Sequence, residues 1–277
     1  MNRLPDPASL VHGTGLSATS HLQKVLVSEL ARLAQLKAAP PLRRALSGPG
    51  AFESALRRDA AQRGGAVIAE YKQASPSLGP FAKGTPLLPQ LRAYQEGGAS
   101  ALSILAEPAY FKGSTKDLRA AEELGLPRLY KGFVIAESQL AEAEGTGAEA
   151  VLLIARVLKG HTAAFAEAAR ARGLEPLVEL HDLTEVGFAQ EAQARLVGIN
   201  ARDLSTFTLG EPTAAPLRRA FPEAVLIRES GLATPEDARA ALRAGFDAVL
   251  IGEALMRSAD PKDFLARALA ELRTGVS

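Results

Sequence analysis

In AVIAEYKQASPSLG, residues 66–79, an apolar run ends in Glu70 and Lys72. Residues two apart on a strand share a face, so this carboxylate and ammonium point the same way. Taken alone, the pair reads as a strand emerging into solvent. The pattern recurs, however. Lys131 ends RLYK, Glu179 lies in PLVEL, Asn200 and Arg202 close LVGINAR, Glu229 and Ser230 close AVLIRES, and Gly252 and Glu253 follow DAVLI. The chain has nine Lys against 23 Arg, and two of the nine fall at these run ends, more than a solvated rim needs. Lysine donates a proton near neutral pH when its pKa is lowered, and arginine does not. A ring of Lys, Glu and Asn therefore suits acid–base work on a polar, anionic substrate. Ion pairs that merely close the end of a fold explain any one of these residues, but explain the strand ends taken together less well.

Two further features bear on a ligand. In RESGLATPEDA (228–238) and VLIGEALM (249–256), Gly231 and Gly252 each stand just past an apolar run and lead toward a helix start. Backbone N–H groups there can approach an anion, and helix N-termini favour phosphate. Glu253 beside them suits a phosphate only if its side chain points away. Simple tight turns are the alternative. In ASPSLGPF (74–81), Ser75 and Ser77 flank Pro76, and a further stretch to Leu88 precedes the next helix. A loop of this length often closes over ligand in a compact domain, the alternative being a plain linker.

The elements that must carry these residues follow from hydropathy. Apolar runs occur at 66–70, 100–105, 128–131, 150–154, 176–180, 196–200, 224–229 and 247–252. Amphipathic segments lie between them; in ATPEDARAALRAG, Thr234 is the predicted N-cap, Pro235 the first helical residue and Gly245 the stop. Continuous apolar strands alternating with helices imply a buried parallel sheet. Eight units close naturally into a (β/α)8 TIM barrel, whose chemistry sits at the C-terminal strand ends. A doubly wound open sheet is the second choice, and no G-x-G-x-x-G turn supports it. Before the first run, Leu22, Val25, Leu26, Leu30, Leu33 and Leu36 repeat in threes and fours until Pro40 and Pro41 interrupt, and a second short helix follows over 51–61. The reading is therefore residues 1–18 as a flexible tail, and 19–277 as one barrel domain with an N-terminal helical extension over 19–65 and strands from about 66.

Composition narrows the function. The net charge is +1, which argues against nucleic acid or an anionic membrane as partner. Cysteine is absent, which excludes disulfides, thiolate catalysis and cysteine metal sites. The four histidines, His12, His21, His161 and His181, form no metal-binding pattern. No signal peptide and no membrane span is read from the apolar runs. A cytoplasmic protein with no cofactor and no metal is the expectation.

EYKQASPSLG, ALSILAEPAYFKGS, LPRLYKGF, LVELHD, VGINARDLSTF and IRESGLATPEDARAALRAGFDAVLIGEALMRSADP, in this order, resemble the indole-3-glycerol phosphate synthase family of tryptophan biosynthesis. The resemblance spans most of residues 21–262 and includes a helical segment before the first strand that covers part of the barrel mouth. It implies closure of the indole ring of 1-(2-carboxyphenylamino)-1-deoxyribulose 5-phosphate with loss of CO2 and water. By the same resemblance Lys131 is the general acid, Glu179 the base in dehydration, and Lys72 the group holding the substrate carboxylate. Glu70 orients and tunes the lysines, with the dehydration acid left open between Lys72 and Glu70. Asn200 and Glu229 bind hydroxyls or developing charge. Ser75, Gly231, Gly252 and the backbone of Glu253 hold the phosphate; Arg202 and Ser230 line the pocket; Phe133 packs on the anthranilate ring. The partner is a small phosphorylated molecule, the protein a monomer, with other enzymes of the pathway as candidate associates.

One position departs from the family pattern. Lys131-Gly132-Phe133 stands where the family reads Lys-Asp-Phe. The missing carboxylate, and a backbone loosened by glycine, lead to an expectation of reduced but measurable turnover. Rival readings are another phosphate-binding barrel of aromatic or histidine biosynthesis, such as phosphoribosylanthranilate isomerase, and a barrel that binds ligand without catalysis.

Overall fold

The computed structural model describes residues 4–35, 50–75, 79–80, 85–201 and 213–272. Within them, ten strands run in chain order: β1 (Ala66–Tyr71), β2 (Ala74–Ser75), β3 (Gly79–Pro80), β4 (Ala101–Leu105), β5 (Arg128–Lys131), β6 (Ala150–Ile154), β7 (Glu175–Leu180), β8 (Leu196–Asn200), β9 (Val225–Glu229) and β10 (Ala248–Ile251). Eight of them close a parallel barrel in the order β1-β10-β9-β8-β7-β6-β5-β4, and β2 and β3 form a separate antiparallel pair. The eight apolar runs read from the sequence are the eight barrel strands. They are mostly apolar, with charged residues confined to positions at or next to their ends, because both faces are covered, one by the barrel interior and one by helices. The whole of β1, β4, β6 and β10 is buried.

Helices link successive barrel strands, and their ends follow the chemistry of the sequence. The helix Pro235–Arg243 starts at Thr234, whose side chain accepts from the Asp237 N–H while Asp237 reaches back, with Pro235 in the first turn. Before the barrel lie α1 (Pro7–Gly13), α2 (His21–Leu33) and α3 (Ala51–Arg63). Ser20 caps α2, and Leu22, Val25, Leu26 and Glu29 are its buried face. Leu36, Pro40 and Pro41 lie outside the described residues. In α3, Phe52 and Leu56 are fully buried, each contributing roughly 1.5–3 kcal/mol.

Within the segment 1–18, read as a flexible tail from its Pro, Gly and Ser content, the described residues 4–18 include a helix. Asp6 caps α1 and accepts from the Ser9 N–H, Pro7 opens the helix, and Leu10 and Val11 are buried. A Pro at the first helical position and an Asp before it are helix-start signals, and two apolar side chains suffice to dock the short helix against α2 and the segment after β6.

Candidate active site

Strand register brings the site together before any side chain is considered. In a parallel pair, partners at one level point to the same face. Asn200 of β8 is level with Glu229 of β9, and Glu70 of β1 with Ser103 of β4. Asn200, Glu229 and Glu70 stand at or next to the C-terminal ends of their strands and line a cavity of about 660 Å³.

Three glutamates inside the mouth are almost wholly buried: Glu70, Glu179 and Glu229 are 4%, 2% and 1% exposed. Such carboxylates need partners. Lys131 Nζ lies 2.5 Å from Glu229 Oε2 and 3.4 Å from Glu179 Oε2. Lys72 Nζ pairs with Glu70 Oε1 at 2.9 Å, and Ser103 donates to Glu70 Oε2 at 3.2 Å. The shared face inferred for Glu70 and Lys72 is thus realised as an ion pair. Asn200 hydrogen-bonds Glu179. Behind Glu179 stands His181, whose Nε2 is 3.4 Å from Glu179 Oε1 and whose Nδ1 is 3.8 Å from Glu185 Oε2.

The charges sort themselves by surroundings. Burial works to lower the Lys131 pKa, but Glu229, Glu179 and Glu70 outweigh it and hold the ammonium above its usual range. The lowered lysine expected from sequence is therefore not what this site makes, because three carboxylates converge on one cation. Burial also raises Glu179 and Glu70, but their neighbours reverse it: Lys131, with His181, for Glu179, and Lys72 and Lys131 for Glu70, so both lie below the ordinary carboxylate value. Glu229 goes the other way. Burial and the adjacent Glu179 push it up to about 8, against the pull of Lys131. Two buried carboxylates in hydrogen-bond contact cannot both ionise cheaply, and they divide one proton.

The backbone around the mouth is shaped to these groups. Ser230 and Gly231 both take positive φ, 64° and 73°, turning the chain sharply at the end of β9 so that both line the cavity. Ser230 is a non-glycine residue in a sparsely populated region, a strain common at functional sites. A Cβ at Gly252 would collide with Glu70 Oε1 and come within 3.0 Å of Lys72 Nζ; the absent side chain is the space the ion pair occupies. Gly252 also caps the short helix Glu253–Arg257, in which Glu253 Oε1 pairs with Arg257 Nη1 at 3.3 Å.

Part of the cavity lining is apolar. Phe133 and Phe111 lie with ring centroids 5.6 Å apart, and His21, Leu22 and Val25 of α2 close the wall beside them. Ser75 lines the cavity too. Arg202 lies outside the described residues, as do 76–78 and 81–84 of the loop after β1. The cavity thus gathers Glu70, Lys72, Ser75, Lys131, Phe133, Glu179, Asn200, Glu229, Ser230, Gly231, Gly252 and Glu253. Sequence reasoning missed Phe111, Arg257, Ser103 and the placement of His181. LVELHD carried a signal for the last, since His181 stands two residues past Glu179, but an isolated histidine carries no partner in sequence. Among the described residues no cluster of His, Asp and Glu forms a metal site, and no helix is long and apolar enough to cross a membrane.

A closed parallel eight-stranded barrel whose cavity lies at the C-terminal strand ends, with buried carboxylates and lysines converging there, is the architecture of the (β/α)8-barrel enzymes. Fold likeness alone extends to thiamine phosphate pyrophosphorylase from Pyrococcus furiosus, 16% identical with a TM-score of 0.56 over 77% of this chain and 100% of that one. The family model described as indole-3-glycerol phosphate synthase matches residues 22–268. Indole-3-glycerol phosphate synthase 2 of Streptomyces coelicolor is 45% identical over 236 residues, 83% of this chain and 87% of that protein. The indole-3-glycerol phosphate synthase of Listeria monocytogenes serovar 1/2a is 44% identical over 199 residues, 71% and 79% of the two chains. The chain belongs to the indole-3-glycerol phosphate synthase family, a family of carboxy-lyases.

Proposed function

We propose that this protein converts 1-(2-carboxyphenylamino)-1-deoxyribulose 5-phosphate into indole-3-glycerol phosphate, CO2 and water, with Lys131 as general acid and Glu179 as general base. The observation that carries the reading is Lys131 held between Glu229 and Glu179 beside the Phe111–Phe133 wall. An aromatic ring seated on that wall would face the ammonium with the carbon that must form the new bond.

The aromatic carbon bearing the carboxylate attacks the ribulose carbonyl. A C–C bond forms, the carbonyl π-electrons move to oxygen, and Lys131 delivers a proton there. A lysine kept charged by its neighbours is always loaded for this step, and the developing alkoxide is basic enough to take the proton. Loss of CO2 returns the ring electrons. Glu229, protonated near neutral pH and 2.5 Å from Nζ, is placed to recharge Lys131. Dehydration then removes the new hydroxyl as water. Glu179, kept ionised, takes the proton, and of Lys72 and Glu70 the lysine is the better acid on the other side, because Glu70 is itself held ionised. Lys72 also binds the substrate carboxylate, Glu70 orients the lysines, and Asn200 holds a hydroxyl.

The phosphate is assigned to Ser75 and to the backbone of Gly231, Gly252 and Glu253, with Ser230 and, by the family resemblance alone, Arg202 as pocket-lining residues. Glu253 has a cationic partner in Arg257, which answers the objection that its carboxylate would repel phosphate. Anchoring the phosphate and the ring at opposite ends fixes the chain between them in a bent form, and removes much of the entropy cost of ring closure. The protein acts in this reading as a cytoplasmic monomer needing no cofactor, with other tryptophan-pathway enzymes as candidate partners.

The test is indole fluorescence. The chain has no Trp, so emission growing with time after substrate addition reports product directly. Emission that is absent in Lys131→Ala supports the named acid. Undiminished emission in that variant overturns it.

A further inference from the structure

Glycine at position 132 looks in sequence like a lost function; in three dimensions it is occupied space. Strand alternation sends Lys131 into the barrel and its neighbours Tyr130 and residue 132 outward, toward the helices. Tyr130 is fully buried there. A Cβ on Gly132 would lie 2.5 Å from Tyr130 Cε1 and 3.3 Å from Cδ1 and Cζ. The φ of Gly132 is not positive, so the requirement for glycine is the tyrosine ring and not the backbone angle.

The ring is held at its far end. Tyr130 Oη donates to Glu142 Oε2 at 2.7 Å, on the helix Glu137–Gly145. Burial and that carboxylate raise the phenol well above its usual range, so it stays a donor. Glu142 receives two bonds from the Arg32 guanidinium, at 3.0 and 3.1 Å. Arg32 also grips Glu29 one turn earlier on α2, with its Nε and Nη2 each bonding Oε2 at 3.0 and 2.9 Å. The buried Glu29 accepts from Gln139 Nε2 at 2.8 Å. Gln139 in turn donates to the Phe133 carbonyl at 2.9 Å and accepts from the Ile135 and Ala136 N–H groups at 2.8 and 3.1 Å. One polar circuit thus leaves β5 at Tyr130, passes through α2, and returns to the chain at Phe133. Lys131 is between the two points of attachment, and α2 also supplies Leu22 and Val25 to the cavity wall.

We propose that Tyr130 is a positioning residue for Lys131, anchored through Glu142 to Arg32 of α2, and that Gly132 is the vacancy its ring requires. The inference rests on Lys131 being the acid. It revises the expectation that Gly132 loosens the lysine, since the segment is clamped on both sides. It also predicts that restoring the family carboxylate by Gly132→Asp damages this chain, because the side chain must displace the ring.

Six variants of the full chain, Tyr130→Ala alone and Lys131→Ala among them, test it by steady-state indole fluorescence, with circular dichroism confirming folding. Tyr130→Phe keeps the ring and loses only the bond to Glu142; kcat should fall about tenfold, with KM changed by less than about twofold. Arg32→Met, remote from substrate, should reproduce that split. Gly132→Ala should cost more than either, and the pair Tyr130→Ala with Gly132→Ala should lose clearly less than the product of the two single losses. Full kcat in both Tyr130→Phe and Arg32→Met overturns the inference, as does multiplicative loss in the double variant. Should Gly132→Ala fail to fold, the first two variants decide alone. Lys131→Ala separates the two readings: turnover retained there removes the acid assignment, whereas turnover abolished there alongside unaffected Tyr130→Phe and Arg32→Met removes only the clamp.

Discussion

Both ends of this barrel bury charge, and they do it in opposite ways. At the floor, Arg128, 2% exposed at the start of β5, meets Glu149. Glu149 also accepts the Arg128 N–H at 2.7 Å, and the guanidinium donates to the Leu118 carbonyl at 3.0 Å and to Gly147. Glu175 accepts the Phe52 and Glu53 N–H groups, both at 2.8 Å, and Asp247 accepts the Leu226 N–H and an Arg218 donor. Each carboxylate there is met by backbone N–H groups or a guanidinium. At the mouth, Glu70, Glu179 and Glu229 face two lysines and one another, and Glu229 Oε1 and both His181 nitrogens find no hydrogen bond among the described residues. The floor uses arginine, whose planar fork saturates its partners. The mouth uses lysine and leaves acceptor capacity over. Burying charge is costly in both places; only at the mouth is the imbalance large enough to push one carboxylate near neutrality, and that is the difference between a fastening and a reactive site.

The comparison breaks first at Lys131. Lys131→Met should lower kcat by about 10³-fold or more, with some loss of melting temperature as well, because Glu179 is left buried without its nearest cation. A melting temperature that collapses while turnover survives would make the mouth a fastening too. Arg128→Met should do the converse. It leaves Glu149 buried without its cation and costs roughly 3–5 kcal/mol of stability in denaturant titrations, while the folded fraction keeps the parent kcat.

The third prediction concerns pH. Glu229 titrates near 8 when folded, above its ordinary 4.5, so the folded state binds an extra proton in that window. Its contribution to stability is fully present below about 4.5 and is lost as pH rises through 8. Glu70 and Glu179 are depressed, so theirs is present above the ordinary value and lost as pH falls below it. Glu229→Gln should therefore abolish an alkaline limb near pH 8 in kcat/KM and flatten the decline of melting temperature over the same range. An unchanged alkaline limb would assign it to another group. The smallest effect belongs to His181→Phe. Removing a group that helps hold Glu179 ionised should move the acid limb toward higher pH with only a few-fold loss in kcat at the optimum. A limb that stays in place would make His181 simple packing.

Much of this was legible in the sequence, for identifiable reasons. Parallel barrel strands must be apolar on both faces, so RLYK, AVLLI and LVGIN announce themselves, and their last polar residues mark the mouth. The cap at Thr234 is local and was equally readable. What could not be read is who meets whom. The Lys131 contact with Glu229 spans 98 positions and the Gln139 contact with Glu29 spans 110, and both depend on how the barrel closes. The sign of the Lys131 shift was hidden for the same reason, since it is set by how many carboxylates converge and not by burial alone. The helix over Pro7–Gly13 was missed because Pro and Gly content outweighed two cap residues. Gly132 was legible as a departure, but its meaning lies in the ring of Tyr130.

The glycines of the mouth carry a consequence for anyone redesigning this barrel. Gly252 yields room to the Glu70–Lys72 pair, and a Cβ at Gly198 would strike Glu229 Oε1. The charges are seated in notches cut from neighbouring strands, like keys in wards. Filling such a notch with a single methyl group adds no charge, yet it would shift a carboxylate against its cation and retune the whole ring of proton donors and acceptors. In this barrel the electrostatic settings can be edited with alanine.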